Sequence, residues 1–159
     1  MNTEHQKAEE RIAITNRKAR HDYEILDSFE TGIVLKGSEV KSLRESNANL
    51  TDSYAYLKGG EVWLTGMHIS PYKQANILNH DPLRERKLLL HKKEIRKIIG
   101  KISEKGLTLI PLRVYFMHGI AKVELGICRG RKSYDKRAAI AKRDTEREMR
   151  RQFSTKVKT

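Results

Sequence analysis

The sequence lacks what disulfide-stabilised, zinc-binding and membrane-spanning proteins need. Its single cysteine, Cys128, excludes a disulfide framework and a cysteine-based zinc site, and it fits a reducing cytosol. None of its six histidines has a second ligand at zinc spacing, so no metal is expected. The longest apolar run, 114–117, is far too short to span a membrane. Residues 1–11 contain no apolar stretch, so we expect no signal peptide and a cytoplasmic protein.

Catalytic motifs are also missing from the sequence. No Gly-rich phosphate loop, nucleophile elbow or pair of catalytic carboxylates stands out. An enzyme would need an activated nucleophile or an acid–base pair, and no residue can be nominated for either role. We therefore expect no enzymatic activity, no catalytic residue and no cofactor.

Acidic residues are scarce relative to basic ones. The chain has 33 Lys and Arg against 20 Asp and Glu, a net charge of +13 at pH 7. A field of this size attracts polyanions and accelerates their association, and nucleic acid is the commonest such partner. A helix lying on an anionic membrane would need a broad apolar face, which the sequence does not offer. The charge thus predicts nucleic-acid binding without membrane attachment.

Short β-rich runs separated by turn signals fill the middle of the chain. The predicted elements are strands at 23–26, 33–36, 54–57, 62–64, 87–90, 107–117 and 121–128, and helices at 38–44 and 92–102. Phe29–Gly32 is interpreted as a tight turn and Lys58–Glu61 as a hairpin turn. The pattern predicts a mainly β fold, a small antiparallel OB-like barrel with two to three flanking helices. An open α+β sheet is the alternative.

A strongly basic segment follows the last predicted strand. Residues 129–159 contain 12 Lys and Arg but 4 Asp and Glu. Helix formers dominate 136–152, yet apolar side chains are too few to hold a helix onto a core. We predict three parts: a flexible N-terminus at 1–15, a barrel domain at 16–128 and a basic tail at 129–159. The tail is expected to be disordered when free and helical on a polyanion.

Three features are candidates for RNA chemistry. The basic segment 16–21 is either a phosphate-contacting arm or a solvated charge run, and the residues alone do not decide between them. Glu30 can accept hydrogen bonds from a guanine or cytosine edge, although an ordinary turn acid is the simpler interpretation. Most aromatics fit a core or a cross-strand pair, whereas Tyr134 lies among charges, where stacking on a base is favoured.

Several landmarks occur together and in order along residues 14–137. They are the segments 16–21, 29–33, 37–44, 52–54, 81–82, 86–90, 130–132 and 135–137. In this combination the chain resembles the SmpB family. The resemblance implies an OB-like barrel with flanking helices. It also implies that the barrel binds the tRNA-like domain of transfer-messenger RNA and that the basic tail occupies the decoding region and empty mRNA channel of stalled ribosomes.

The resemblance can be carried onto individual positions. RNA-contact positions of the family match Glu30, Leu89 and Lys122, and the basic segment adds Asn16, Arg17 and Lys18 as candidate RNA contacts. The ribosome-binding tail positions that match are Tyr134, Asp135, Lys136 and Arg137. Beyond residue 137 the tail resembles the family only in being basic and helix-prone.

The implied partners are transfer-messenger RNA, the small-subunit rRNA of the ribosome and the complex of alanyl-transfer-messenger RNA with elongation factor Tu. We expect the protein itself to be a monomer. Two other classes of function remain as alternatives. A generic single-strand-binding barrel would coat RNA through a stacking groove, and an RNA-modifying enzyme would need the catalytic groups that are missing.

Overall fold

The computed structural model describes residues 10–104, 106–131 and 145–151, without the side chains of 76–78. Its elements in chain order are β1 (Arg11–Thr15), α1 (Arg17–Asp22), β2 (Tyr23–Ile33), α2 (Gly37–Arg44), β3 (Ala48–Asn49), β4 (Tyr54–Lys58), β5 (Glu61–Thr65), β6 (His68–Ile69), a 3-10 helix (Lys73–Leu78), β7 (Arg86–Leu89), α3 (Lys92–Ile102), β8 (Leu107–Met117) and β9 (Ile120–Gly130). Residues 145–151 form a further short helix that is exposed throughout. No helix in these ranges is long and apolar enough to cross a membrane.

Six strands close into an antiparallel ring. They follow the order β8, β4, β5, β7, β2, β9, and β9 pairs back onto β8 along its whole length. The β8–β9 turn requires positive φ at His118 (50°) and Gly119 (76°). Closure leaves few free strand edges, which is the usual solution for a small antiparallel sheet. The predicted mainly β barrel with flanking helices is confirmed, and the open sheet is excluded.

The predicted tight turn at Phe29–Gly32 is wrong. These residues belong to the single long strand β2, where Phe29 lies opposite Leu125 and Gly32 opposite Lys122 of β9. The ladder to β9 satisfies the backbone groups of this segment, so long-range pairing overrides the local turn signal. A register shift between Ile25 and Asp27 marks an irregularity in the same ladder.

The N-terminal boundary also differs from the prediction. Residues 1–15 were expected to be flexible, but Arg11–Thr15 forms β1 and pairs with residues 113–116 of β8. Ala13 is buried in the core, which gives this short strand its anchor. At the other end, β9 continues two residues past the predicted limit of 128, to Gly130.

The predicted strand at 33–36 did not form, because β2 ends at Ile33 and residues 34–36 lie outside any strand. Local signals placed the β4–β5 hairpin and the helices α2 and α3 well. The β4–β5 hairpin turns at Gly59 (φ 60°) and Gly60 (φ 74°), the conformation that a two-residue hairpin loop demands of glycine. Helix α3 has the bounds that its isoleucine spacing predicts, with Ile95 and Ile98 buried. Helix α2 begins at Gly37 and buries Leu43. Both helices contribute these side chains to the barrel core.

A buried ion pair ties α2 to the barrel wall. Glu39 and Arg86 are both fully buried, and the Arg86 Nε donates to one Glu39 carboxylate oxygen. The other Glu39 carboxylate oxygen accepts a hydrogen bond from the Arg84 side chain at 2.5 Å and one from the Lys36 backbone N–H at 2.9 Å. Arg86 also donates to the Met67 carbonyl oxygen at 2.7 Å. Burial alone would raise the pKa of Glu39, but the hydrogen bonds outweigh burial and lower that pKa.

We expect Glu39→Gln to destabilise the fold by about 3–5 kcal/mol at pH 7, because Arg86 is left as an uncompensated buried charge. The folded-state pKa of Glu39 lies below its ordinary 4.5. The contribution of Glu39 is therefore complete above pH 4.5 and is lost as the pH falls through the folded pKa. Urea unfolding at a series of pH values should show the difference between wild type and variant shrinking below about pH 4.5.

The matched control is Glu61→Gln, which breaks an exposed pair whose Lys87 Nζ lies 3.7 Å away. That change should alter the free energy of unfolding by less than about 1 kcal/mol. Equal effects of the two substitutions, or a Glu39→Gln effect that does not depend on pH, would contradict this assignment.

Candidate nucleic-acid interface

Three strands meet at Gly32, where β2 pairs on both of its edges. Gly32 lies opposite Leu89 of β7 and opposite Lys122 of β9. Glu30 precedes Gly32 by two residues, so it projects from the same face of β2. The three positions assigned by resemblance, Glu30, Leu89 and Lys122, thus line one groove. Its other lining residues are Ser28, Phe29, Gly32, Leu90, His91 and Glu94. We call this groove the β2 cleft.

The side chains of the β2 cleft differ in chemistry and are accessible. Glu30 is exposed, Leu89 is 51% exposed and Lys122 is half-buried. Ala121 and Val123 face the core, which confirms that Lys122 projects outward. The arrangement offers a hydrogen-bond acceptor, an apolar surface and a cation within one groove. A nucleotide presents donors on its base edge, an apolar base or sugar face and an anionic phosphate, so the three groups complement it.

Helix α3 forms one wall of the β2 cleft, a feature that the sequence did not reveal. Lys101 Nζ lies 3.0 Å and Lys97 Nζ 3.4 Å from an Asp27 carboxylate oxygen. The hydrogen bond from Lys101 is the main cause that lowers the pKa of Asp27. Lys97 also lies 5.5 Å from the centre of the Phe29 ring. These contacts hold α3 against β2, and they place His91 and Glu94 at the rim of the cleft.

The predicted RNA contact at Asn16 is not supported by its position. Asn16 is 5% exposed, and its side-chain nitrogen donates to the Pro111 carbonyl oxygen at 2.9 Å. Its side-chain oxygen accepts from the Ala19 backbone N–H at 3.1 Å and so caps α1. Both polar ends of the amide are therefore engaged inside the protein. Asn16 positions the basic helix rather than reaching a ligand.

The two neighbouring basic residues are exposed but lie far from the β2 cleft. Lys18 donates to Asp52 at 2.7 Å, and this hydrogen bond raises the pKa of Lys18. Lys18 lines a second groove together with Tyr23 and Tyr54, whereas Arg17 is exposed on the same short helix. Tyr23 begins β2, and the nearest lining residue of the β2 cleft on this strand is Ser28, so the two grooves are separated by roughly 17 Å along the strand. The β2 cleft and the groove beside α1 are therefore two distinct surfaces of the barrel.

The predicted tail positions Tyr134, Asp135, Lys136 and Arg137 lie outside the described residues. The start of the tail is described. The Arg131 backbone N–H donates to the Asp22 carbonyl oxygen at 3.0 Å, immediately after β9 ends. The chain therefore leaves the barrel beside α1, at the end opposite the β2 cleft.

Comparison with known proteins identifies the family. A family model described as SmpB protein matches residues 13–155. The chain belongs to the SmpB family. It is 60% identical over 147 residues to the SsrA-binding protein of Acetivibrio thermocellus, covering 92% of this chain and 96% of that protein. It is 51% identical over 152 residues to the SsrA-binding protein of Geobacillus thermodenitrificans, covering 96% and 98%.

A solved structure described as "tmRNA-SmpB: a journey to the center of the bacterial ribosome" shares the fold. Its TM-score is 0.65 at 53% identity, covering 77% of this chain and 87% of that chain. The SmpB family consists of RNA-binding proteins and not of enzymes. The predictions of the family and of a non-enzymatic chain are confirmed.

We expect Asn16→Ala to destabilise the fold by about 2–3 kcal/mol, because it removes a helix cap and leaves the buried Pro111 carbonyl oxygen without its donor. Arg17→Ala is the matched control, since it removes an exposed side chain from the adjacent position and should change stability by at most about 0.5 kcal/mol. Chemical denaturation measures both. An Asn16→Ala protein as stable as wild type would contradict the structural role.

Proposed function

We propose that this chain binds the tRNA-like domain of transfer-messenger RNA in the β2 cleft and delivers that RNA to stalled ribosomes for trans-translation. The observation that carries the proposal is the meeting of Glu30, Leu89 and Lys122 at Gly32 in a chain of the SmpB family. SsrA-binding relatives and the tmRNA–SmpB ribosome structure support the partners, transfer-messenger RNA and the ribosome.

The cleft suits a folded RNA better than a single strand. Proteins that coat single strands stack successive bases on several aromatic side chains. Among the described residues that line the β2 cleft, the aromatic rings are Phe29, which is already covered by Lys97, and the single imidazole of His91. An acceptor, an apolar contact and a cation at fixed spacing instead match a loop whose bases are splayed out of a stack. This difference favours the structured partner over the generic single-strand-binding barrel.

The opposite end of the barrel is the candidate ribosome-facing surface. It carries Arg17 and Lys18 on α1, and the tail departs from it at Arg131. The tail holds 12 of the chain's 33 Lys and Arg, which suits a surface made of rRNA. We place the tail, with Tyr134 to Arg137 as its contacts, in the decoding region and the empty mRNA channel.

Separation of the two surfaces lets one small protein bridge two RNAs at once. A folded RNA in the β2 cleft leaves α1 and the tail free for the small subunit. We also propose that the protein is recruited together with elongation factor Tu, acts as a monomer and is located in the cytoplasm.

Glu30→Ala and Lys122→Ala should each weaken binding of the tRNA-like domain by about tenfold, because each removes a polar contact that is worth about 1–2 kcal/mol. Lys122→Ala should also reduce the slope of log affinity against log salt by about 0.7–0.9, the effect of one lost phosphate contact. Glu30→Ala should not reduce that slope, since it removes a negative charge. Fluorescence anisotropy at several salt concentrations measures both quantities.

Matched controls are Glu24→Ala, an exposed acid near the other end of β2, and Lys58→Ala, an exposed lysine at the end of β4. Both controls should leave the affinity of the tRNA-like domain nearly unchanged. If the cleft variants and the controls bind alike, the β2 cleft is not the RNA site.

Truncation after Arg131 should separate the two surfaces. The sheet is complete at Gly130, so the shortened protein should fold and still bind the tRNA-like domain. It should fail to support alanine tagging on stalled ribosomes, because nothing then occupies the decoding region. Glu30→Ala in the full chain provides the reciprocal case, with weakened binding of free RNA. A truncated protein that tags normally, or that loses RNA binding, would contradict this division of labour.

A further inference from the structure

Three neighbouring strands carry a row of charged side chains beside the β2 cleft. Arg113 of β8 lies directly opposite Glu124 of β9, and Glu124 lies directly opposite Glu30 of β2. Residues that are opposite each other in a sheet share a face. The adjacent Val114 and Val123 are buried in the core, so the row is on the outer face of the barrel. Its order is cation, acid, acid, and the last acid lines the cleft.

The two acids of this row occupy the same side of the sheet. The Cβ atoms of directly opposite residues lie about 5 Å apart, and like charges at such positions repel each other. If the Glu124 carboxylate leaned toward β2, it would add a second negative charge beside Glu30. RNA is a polyanion, so that charge would oppose the approach of its phosphates to the cleft. The use of Glu30 as a hydrogen-bond acceptor therefore requires that Glu124 be held away.

Arg113 holds Glu124 on the side away from the cleft. The Arg113 Nε donates to a Glu124 carboxylate oxygen at 2.5 Å, and 24% and 25% of the two side chains are exposed. Strand β9 lies between β8 and β2, so a carboxylate bonded to Arg113 is turned toward β8 and away from Glu30. The same contact compensates the charge of Glu124. Because the pair is partly buried, salt screens it less than a pair on the open surface.

Contacts outside the cleft fix the guanidinium of Arg113. It lies 4.3 Å from the centre of the ring of Tyr115, a residue that is 2% exposed. The Arg113 Nη1 also donates to Glu10, immediately before β1. Stacking on a buried ring and pairing with a second acid leave the guanidinium little freedom to reorient. Arg113 is thus a fixed anchor for the Glu124 carboxylate.

We propose that Arg113 is a positioning residue for RNA binding, which keeps Glu124 turned toward β8 and so leaves Glu30 as the acid that this row presents to RNA. The inference rests on the proposed function of the β2 cleft. Arg113 acts through Glu124 and does not itself contact RNA. An ion pair that served folding alone would change stability and leave the RNA affinity of the folded protein unaltered.

The test is binding of the tRNA-like domain to the full chain, measured by fluorescence anisotropy on variants whose folding is verified by circular dichroism. Arg113→Met removes the cation but keeps an unbranched chain over the Tyr115 ring. We expect about three- to tenfold weaker binding, because Glu124 becomes an unpaired acid beside Glu30. Lys58→Ala is the matched control, since it removes one positive charge from a strand outside this row, and it should bind like wild type.

Rescue by a second substitution distinguishes positioning from direct contact. Arg113→Met combined with Glu124→Gln removes the anchor together with the acid that it holds, so this double variant should bind within about twofold of wild type. Glu124→Gln alone should bind like wild type as well. Replacing both members of the pair leaves no unpaired acid in the row, so the double variant keeps the test decisive even where Arg113→Met alone does not fold.

The outcomes separate the inference from the proposed function. If Glu30→Ala binds like wild type, the proposed role of the β2 cleft fails and the inference fails with it. If Glu30→Ala weakens binding but Arg113→Met does not, the cleft stands and the positioning role is overturned. A double variant that binds as weakly as Arg113→Met would also overturn it, because Arg113 would then contact RNA directly. That case has its own signature, a salt slope reduced by about 0.7–0.9 through the loss of one phosphate contact.

Discussion

The backbone pairing of Gly32 on both edges of β2 is the constraint on which the candidate site depends. One edge pairs with β9 at Lys122 and the other with β7 at Leu89, so residues far apart in sequence become neighbours. A residue with a side chain would be crowded at position 32, because a Cβ on Gly32 would lie 3.2 Å from the Leu89 Cβ. The bare backbone leaves the floor of the cleft open between Glu30, Leu89 and Lys122.

The fold was predictable from sequence wherever the determining interactions are local. The Gly59–Gly60 hairpin and the isoleucine stripe of α3 formed as their patterns predict. The β2 strand was broken wrongly at Phe29–Gly32, because its continuity comes from pairing with β9, a contact between distant parts of the chain. Strand β1 was missed for the same reason, because its five residues form a strand only by pairing with the edge of β8.

The candidate site was predictable to a different degree. From the residues alone Glu30 was more simply an ordinary acid, and the resemblance to the SmpB family supplied its role. The structure adds what neither source contained, namely that Asn16 faces inward to cap α1 and that α3 forms one wall of the β2 cleft. Exposure and hydrogen-bond partners decide such roles, and both emerge only once the barrel has closed. The buried Glu39–Arg86 pair is a similar case, since each residue alone looks like a surface charge.

The central claim is that free transfer-messenger RNA contacts the barrel at the junction of β2, β7 and β9. Methyl-resolved NMR during titration with the tRNA-like domain tests this directly, because Leu89 and Ile12 are similarly exposed, at 51% and 54%, but Ile12 lies on β1, beyond β8. The account predicts large shifts of the Leu89 methyl signals at stoichiometric RNA and little change at Ile12. Shifts at Ile12 with an unperturbed Leu89 would contradict it.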